Sequence, residues 1–333
     1  SLPRAGPKAT TLQYSALQER VKRVVRANIG ENVKITADGS NYNDSHGNVV
    51  IMAVSGTGNA SDDYLRGRYD NIFTKASVEC KGFVGLSNAK AHVDIASTSE
   101  IVMGGGAEID AKRKVKLEAL STSNMGSAKY SKDLLEMEIP LFTLSGVFTK
   151  AEALSKGGIP LPNAVAKATL NYYTFININM RDEKKANIPS GKTTKITSRE
   201  DGIILKASNE RMDIQNRAEA SGKGAAGVSN ANAWIDTILY NAIWIDDAVL
   251  SAYKDLMITA DNGGMTNTVN GNSVKTTYIQ ALRPRLDAWS KSPLKAVGKA
   301  KAHARITGSQ INQIRSFDVN SVTLSSTTGH VIH

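Results

Sequence analysis

Apolar and polar residues alternate one by one over long parts of this chain. Runs such as Val33-x-Ile35-x-Ala37, Val115-x-Leu117-x-Ala119, Thr194-x-Ile196-x-Ser198, Leu256-x-Ile258-x-Ala260 and Val322-x-Leu324-x-Ser326 put an apolar or small side chain at every second position. A period of two is that of a strand with one buried face. Gly, Asn, Asp and Ser break the runs, so the pattern predicts short strands of about four to six residues joined by turns. One stretch departs from it. In TLQYSALQERVKRVVRA (11–27), Leu17, Val21, Val24 and Val25 fall at helical spacing, which predicts a short helix.

The pattern also repeats at long range. KGFVGLSNAKAHVDI (81–95) returns as KGAAGVSNANAWIDT (223–237), with eight of fifteen positions identical and an offset of 142 (223 − 81). The five run endings above are read as five copies of one unit, spaced by 82, 79, 62 and 66 (115 − 33, 194 − 115, 256 − 194, 322 − 256). Each is preceded by a second alternating run: Ala27-x-Ile29, Ala107-x-Ile109, Ala186-x-Ile188, Ala248-x-Leu250 or Phe317-x-Val319. Short strands at this density fit a propeller or a β-solenoid. Long, irregular units poor in aromatics argue against propeller blades. Stacked small residues such as Ala89/Ala91 and Ala231/Ala233 suit a narrow solenoid interior. With ~20–25 residues per coil, each unit would hold three coils, and ~12–14 coils at ~4.8 Å would make a rod of roughly 60 Å. The two related stretches are then the same strand and turn of two repeats on one axis.

The segment GKGAAGVSNANAWIDTILYNAIWIDDAVLSAYKDLMITA (222–260) resembles the repeats of giant secreted bacterial exoproteins of the filamentous-haemagglutinin-like and leukotoxin-like kind. There a GxGxxGVSxAxAxI strand is followed by an AxIxDAxVxA strand and a dvxIxA strand. The likeness covers roughly 27–120 and 166–326. It implies a right-handed parallel β-helix, secretion, an elongated rod and a role in adhesion, and it carries over no catalytic residues. The expected organisation is a cap segment over 1–27, solenoid repeats over 28–129 and 166–261, inserted loops over 130–165 and 262–296, and terminal coils over 297–333.

Composition refines this picture. Apolar residues make up 41% of the 333 and charged residues 22%, as in a folded protein. The single cysteine, Cys80, excludes an internal disulfide framework. No apolar run reaches the length of a membrane-crossing helix, and SLPRAGPKAT has no signal-peptide core, so a secretion signal would lie upstream. The net charge of +10 favours anionic partners, acidic polysaccharide foremost. Residues 281–305 carry seven basic side chains against Asp287, a net of +6. Basic and aromatic residues interleave only near 278–289, which argues against a nucleic-acid binder.

Candidate ligand contacts follow from the loops and the repeat. In the second insertion, Tyr278 and Trp289 among Arg283 and Arg285 suit a sugar or an anionic chain. His92 sits between inward Ala91 and Val93 and so points outward. Its expected equivalents, Asn171, Trp234 and His303, would form a row along the stack. Asp94 and Asp236 share a repeat position that Arg305 takes in another copy.

The sequence offers no catalytic grouping and no metal set. DGSNYNDSHGN (38–48) lacks calcium-loop spacing, and GGG (104–106) reads as a tight turn with no helix to make it a phosphate cradle. No cofactor is implied. The expectation is a non-enzymatic adhesive solenoid, extracellular or on a bacterial surface, binding a host or neighbouring cell. One alternative is a subunit that stacks end to end through its open strand edges, with 11–27 capping one end and the short tail after 326 leaving the other open. Another is a polysaccharide lyase or hydrolase, since β-helices also host such enzymes.

Overall fold

A computed structural model describes residues 10–39, 47–56, 72–123, 147–179, 192–224, 226–262, 265–269, 272–276, 281–291, 298–315 and 322–332. These residues form strands and turns, with no helix among them. The chain runs in circuits. The first comprises β1 (Thr10–Ile29), β2 (Lys34–Ala37), β3 (Val49–Gly56) and β4 (Ile72–Lys81). The second comprises β5 (Val84–Met103), β6 (Glu108–Ala111), β7 (Val115–Ser123) and β8 (Val147–Lys156). The third has β9 (Ile159–Ile178), β10 (Thr194–Ser198) and the long β11 (Ile203–Lys223). The fourth has β12 (Gly227–Ile245), β13 (Ala248–Ala252), β14 (Leu256–Asp261), the hairpin β15 (Met265–Val269) and β16 (Asn272–Thr276), and β17 (Ala281–Lys291). The fifth has β18 (Gly298–Arg315), β19 (Val322–Ser326) and β20 (Val331–Ile332).

Each circuit lays its strands, parallel and in register, on those of the circuit before. Sheet A is β1-β5-β9-β12-β18, and sheet B is β2-β6-β10-β13-β19. Sheet C is β3-β7-β11-β14-β20. Sheet D, formed by β4, β8 and β17, continues from it through the second half of β11. The fold is all-β, and its stacked parallel sheets are compatible with a β-solenoid.

Register measures the coil. Thr10 pairs with Val84, Val84 with Ile159, Asn163 with Asn230 and Gly227 with Gly298. The steps along the sequence are therefore 74 (84 − 10), 75 (159 − 84), 67 (230 − 163) and 71 (298 − 227). One repeat unit is thus one coil, not three. Sheet A spans about 65 Å along its 20-residue strands, against about 20 Å across its five strands. The described part is a slab wider than it is tall, which replaces the expected elongated rod.

The shorter-coil expectation fails because polar residues inside strands look like turns. Ser97 and Ser99 in β5, Thr174 in β9 and Asn241 in β12 all point inward and are buried. Ser99, Thr174 and Asn241 belong to one of two facing polar columns. One is Ser99, Thr174, Asn241 and Asn312; the other is Ser55, Ser121, Asn209 and Asn262. The columns meet through Ser99 Oγ donating to Ser55 Oγ (2.7 Å) and Asn241 Nδ2 donating to Asn262 Oδ1 (2.7 Å), and Ser55 Oγ also lies 2.6 Å from Ser97 Oγ and 3.0 Å from Ser121 Oγ of its own column. Asn241 also donates to Asn312 Oδ1 (2.9 Å), one coil on. Most of these buried polar atoms find a partner in the stack, which makes them tolerable, although Asn209 Oδ1 has none among the described residues.

This ladder divides the interior. On one side a large apolar core of Ile, Leu, Val and Met fills the space between sheets A, B and C, with Ile109, Leu117, Leu205, Ile196 and Ile258 at its centre. On the other, sheet A meets sheet D over alanines: Ala89, Ala91, Ala164, Ala166, Ala231 and Ala233 against Ala76, Ala151, Ala153, Ala218 and Ala220. The narrow interior expected from the alanine pairs occupies this half. A smaller apolar group around Val93, Leu170, Tyr172 and Ile235 lies alongside.

Corners are set by backbone conformation. At the A–B corner Asn32, Gly106, Asn179 and Asp247 take φ values of 56°, 71°, 50° and 40°, a left-handed region that Gly, Asn and Asp tolerate. The GGG at 104–106 is this turn, as expected.

Three further readings need correction or placing. The helical cap is absent: residues 10–29 form β1, paired along its whole length with β5. Leu17, Val21, Val25, Ala27 and Ile29 also satisfy a period of two, and a parallel ladder along the whole strand outweighs the helical spacing. The five run endings belong to two different sheets: 33–37, 194–198 and 322–326 run with sheet B, whereas 115–119 and 256–260 begin sheet C strands. Both sheets end an apolar alternation on a small residue, so the runs look alike. Of the insertion read at 130–165, residues 147–165 are β8 and the start of β9; of that at 262–296, residues 281–291 are β17. Residues 130–146 lie outside the described part. The breaks after β3, β7 and β14 fall at one place in the circuit, between sheets C and D. There β11 runs on continuously with a register shift between Asn209 and Met212.

Candidate functional site

The outward face of sheet A is ruled by strand register into rows that cross the coils. The row through His92 reads Gln18, His92, Lys167, Trp234, Arg305. Trp234 is therefore His92's equivalent, as expected, and is 41% exposed. Asn171 and His303 are not in this row. Asn171 lies with Ala96 and Ile238, and His303 with Lys90, Val165 and Asn232. The coils differ in length, so the expected equivalents fall four positions from the row in one coil and two in the other. Even slips keep the outward face but miss the row. Asp94 and Asp236 do share a row, separated by Thr169, and Thr307 rather than Arg305 continues it. Asp94 is engaged: His92 Nε2 lies 2.8 Å away, Gln18 donates to it at 3.0 Å and Arg20 is 3.6 Å away.

The most distinctive chemistry on this face is aromatic. Tyr173 and Phe175 of β9 and Tyr240 and Trp244 of β12 gather where the outward rows cross these central strands. Phe175 stacks on Trp244 (centroids 5.4 Å, planes 22° apart) and on Tyr173 (6.2 Å, 23°), while Tyr240 tilts against both Phe175 (5.5 Å) and Tyr173 (6.4 Å). Beneath them Ala242 is fully covered, which leaves room for the rings. The partly exposed rings continue toward exposed Ile238, Trp234 and Ile311. Polar groups edge the patch. Tyr240 donates its hydroxyl to Gln313 Oε1 (3.0 Å), and Asn177 Nδ2 donates to Glu100 Oε1 (2.6 Å). Arg26 pairs with Glu100 at 2.7 Å. Among the described residues Trp244 Nε1 and Asn177 Oδ1, in one row, have no hydrogen-bond partner, at a cost of about 1–3 kcal/mol each.

None of these four aromatics was singled out from the sequence. Their signal was present: Tyr173-x-Phe175 and Tyr240-x-x-x-Trp244 hold bulky rings at positions of outward parity. It becomes readable only once the step from β9 to β12 is known.

The opposite face, sheet D, carries a charged cluster. Lys75, Lys150, Arg217 and Arg285 form one row; Ser77, Glu152, Glu219 and Asp287 form the next but one. Lys150 is nearly fully buried and pairs with Glu152 and with Glu219 (3.4 Å), while Arg217 pairs with Glu219 and Lys75 with Glu152 (3.1 Å). Burial pushes the Glu152 carboxyl up, but hydrogen bonds and charge from Lys150 and Lys75 outweigh it and hold it below the usual range. Burial pushes Glu219 up, and Lys150 and Arg217 only partly offset that. This is an ion-pair network that satisfies itself across coils.

Of the predicted loop contacts, Arg283, Arg285 and Trp289 lie in β17 at the register positions of Gln215, Arg217 and Ser221. Tyr278 lies outside the described residues, as does most of 38–48. Cys80 is buried on the inward side of β4, in register with Ser155 and Gly222. Among the described residues no three His, Cys, Asp or Glu side chains gather as a metal site.

Compared with family models, curated proteins and solved structures, the chain matches none.

Proposed function

We propose that this chain is a non-enzymatic binding module: a right-handed parallel β-helix of a bacterial surface or secreted protein, whose sheet A stacks on sugar rings of a glycan on a host or neighbouring cell. Right-handedness rests on the general rule for parallel crossovers and on the exoprotein resemblance. The reading rests on one observation, the outward cluster of Tyr173, Phe175, Tyr240 and Trp244. The chain has only 19 aromatic residues (10 Tyr, 6 Phe, 3 Trp), and four of them meet on a face that the core does not need. Outward aromatic faces on a flat, rigid sheet with polar groups at their rim suit a planar ligand whose edges carry hydroxyls. Calorimetry against a panel of neutral and acidic oligosaccharides tests it. Binding that falls at least tenfold, about 1.4 kcal/mol, in the Tyr240→Ala/Trp244→Ala variant, with melting still cooperative, supports the site. Undiminished binding, or no binding to any glycan of the panel, overturns it.

End-to-end association is a second reading, favoured by the long edges that β1 and β18 present. Sizing across a wide concentration range tests it, and a strictly monomeric chain at high concentration removes it.

A further inference from the structure

At the D–A corner the chain turns from sheet D into sheet A, and glycines let successive corners lie against one another. A Cβ on Gly157 would lie 1.6 Å from the Gly82 carbonyl oxygen. The next residue, Gly158, makes room for a side chain. A Cβ there would come within 2.8 Å of Cε2 and 2.9 Å of Cδ2 of the Phe83 ring. The ring of one coil is thus seated on bare backbone of the next, and beside it Ile159 N donates to Phe83 O (2.7 Å). Phe83 nevertheless stays 63% exposed. The ring is positioned rather than buried.

The first outward rows of sheet A continue this surface. Thr10, Val84 and Ile159 form one row. Leu12, Leu86 and Leu161 form the next, and Val228 stands at the same place on β12, two residues before Asn230. Leu12 is 70% exposed, and Ile159 and Val228 are exposed as well. The third row is Tyr14, Asn88, Asn163 and Asn230. Its amides are linked along the stack: Asn163 Nδ2 donates to Asn88 Oδ1 (3.3 Å), and Asn230 Nδ2 donates to Asn163 Oδ1 (2.9 Å). A side-chain amide offers two N–H groups and two carbonyl lone pairs. The ladder uses one of each at Asn163 and so fixes the plane of the amide. One N–H and one lone pair are left to meet a ligand.

Charge tells what kind of ligand. None of the eleven outward positions in these rows is Asp, Glu, Lys, Arg or His, although at 22% charged residues two or three would be expected (0.22 × 11) in a chain of net charge +10. An ion settling on the strip would lose water and find no opposite charge in return. The strip therefore suits an uncharged partner. Its contacts also repeat at the strand spacing, ~4.8 Å, along four coils. A folded protein surface presents no such repeat, whereas a polymer does.

We infer that the strip between Phe83 and the amide ladder of Asn88, Asn163 and Asn230 is a second binding surface, for an uncharged, β-linked polysaccharide lying extended along the stack. Such a chain is a flat ribbon with C–H groups on its ring faces and hydroxyls along its edges. One face rests on the leucine row. One edge meets amides, which donate and accept as hydroxyls do, and Phe83 bounds the other edge. The ribbon advances about one ring per coil, so each coil repeats the contacts of the last. Ten residues of strand separate Asn163 from Tyr173, about 33 Å, so this surface is distinct from the aromatic patch and does not rest on it.

The probe is cellohexaose, with maltohexaose, whose α-links coil the chain, as the control. Calorimetry is run on the full chain and on the Tyr240→Ala/Trp244→Ala variant, which lacks the aromatic patch. Cellohexaose binds both proteins, and in the variant its affinity is nearly independent of salt. In that same background Phe83→Ala lowers affinity at least tenfold, and Phe83→Trp restores it. Asn163→Leu, which removes a donor and an acceptor from the middle of the ladder, lowers it several-fold with melting still cooperative. If Asn163→Leu does not fold, Phe83→Ala, which changes an exposed ring, decides alone. Tyr253→Ala, an exposed ring away from the strip, leaves affinity unchanged. Undiminished binding in Phe83→Ala, equal binding of maltohexaose, or a dimer that Phe83→Ala dissolves would each overturn the inference, the last by giving the strip to a second copy. Failure of the aromatic-patch reading appears as binding that the Tyr240→Ala/Trp244→Ala change does not alter, and failure of this one as no cellohexaose binding left in that variant.

Discussion

Met257 and Ile258 are consecutive residues of β14 that face opposite ways, and they offer a sharp test of register. Ile258 is 1% exposed and stacks in the row Ile51, Leu117, Leu205, Ile258 inside the main apolar core. Met257 is 38% exposed on the outer face of sheet C. Truncating Ile258 to Ala removes three carbons from a packed interior whose stacked backbones hold each other in place and cannot collapse into the gap. At ~0.8 kcal/mol per buried methylene, transfer alone accounts for about 2.4 kcal/mol. With the cavity term the total should reach about 3–4 kcal/mol. Met257→Ala loses little burial and should cost about 0.5 kcal/mol or less. For 333 residues, at about 2.1 cal/mol/K of unfolding entropy per residue, the first change lowers the melting midpoint by about 4–6 °C and the second by no more than about 1 °C. Thermal unfolding followed by circular dichroism, with urea titration as a check, reads both. Equal shifts, or a larger one for Met257→Ala, would refute the reasoning, because a one-residue slip exchanges the two faces of every strand.

Two further outcomes follow. Gly157→Ala should abolish or severely impair folding, since the new Cβ meets the Gly82 carbonyl at 1.6 Å and φ is +155°; a near-native melting curve would show that the D–A corner is looser than described. Glu152 titrates below the usual carboxylate range in the folded chain, so its contribution is present above pH ~4.3 and is lost as pH falls through and below that value. Glu219 is raised and works with the opposite sign, its contribution fading as pH rises. Glu152→Gln should therefore flatten the acid limb of stability between about pH 5 and 3, whereas Glu219→Gln should not; identical acid limbs in all three proteins would remove the network's asymmetry.

Strand period, all-β class and the long-range recurrence of the Lys-Gly motif were legible because they are local or identical in wording. The offset of that recurrence proves to be two coils: Ala89, Ala164 and Ala231 stand in one row. Coil length was not legible. It depended on knowing that Ser97, Ser99, Thr174 and Asn241 sit within strands. A polar residue at an inward position becomes acceptable only when its neighbour one coil away offers a partner, which a single stretch of sequence does not show. The edge strand β1 was obscured for a related reason. With a single neighbouring strand it carries Arg23 at an inward register position opposite Ser97, so its alternation is broken by charge. Inward charges of this kind are a common way of blunting an edge. The aromatic patch was hidden by coil length, since Phe175 and Trp244 come together across strands whose offset differs from that of the coils on either side.

Everything proposed for the two outer surfaces depends on one repeat unit making one coil, and a pair of engineered disulfides tests that most directly. Lys90 and Val165 are register partners on the outer face of β5 and β9, one coil apart in sequence. Lys90 and Asn232 share the row but are separated by β9, at about twice the ~4.8 Å strand spacing. Cysteines at 90 and 165 should oxidise to an intramolecular disulfide in the folded chain, seen as a mobility shift reversed by reductant. Cysteines at 90 and 232 should stay reduced, because ~9–10 Å exceeds the reach of a disulfide. Ready bridging of 90 to 232 without bridging of 90 to 165 would contradict the coil described here.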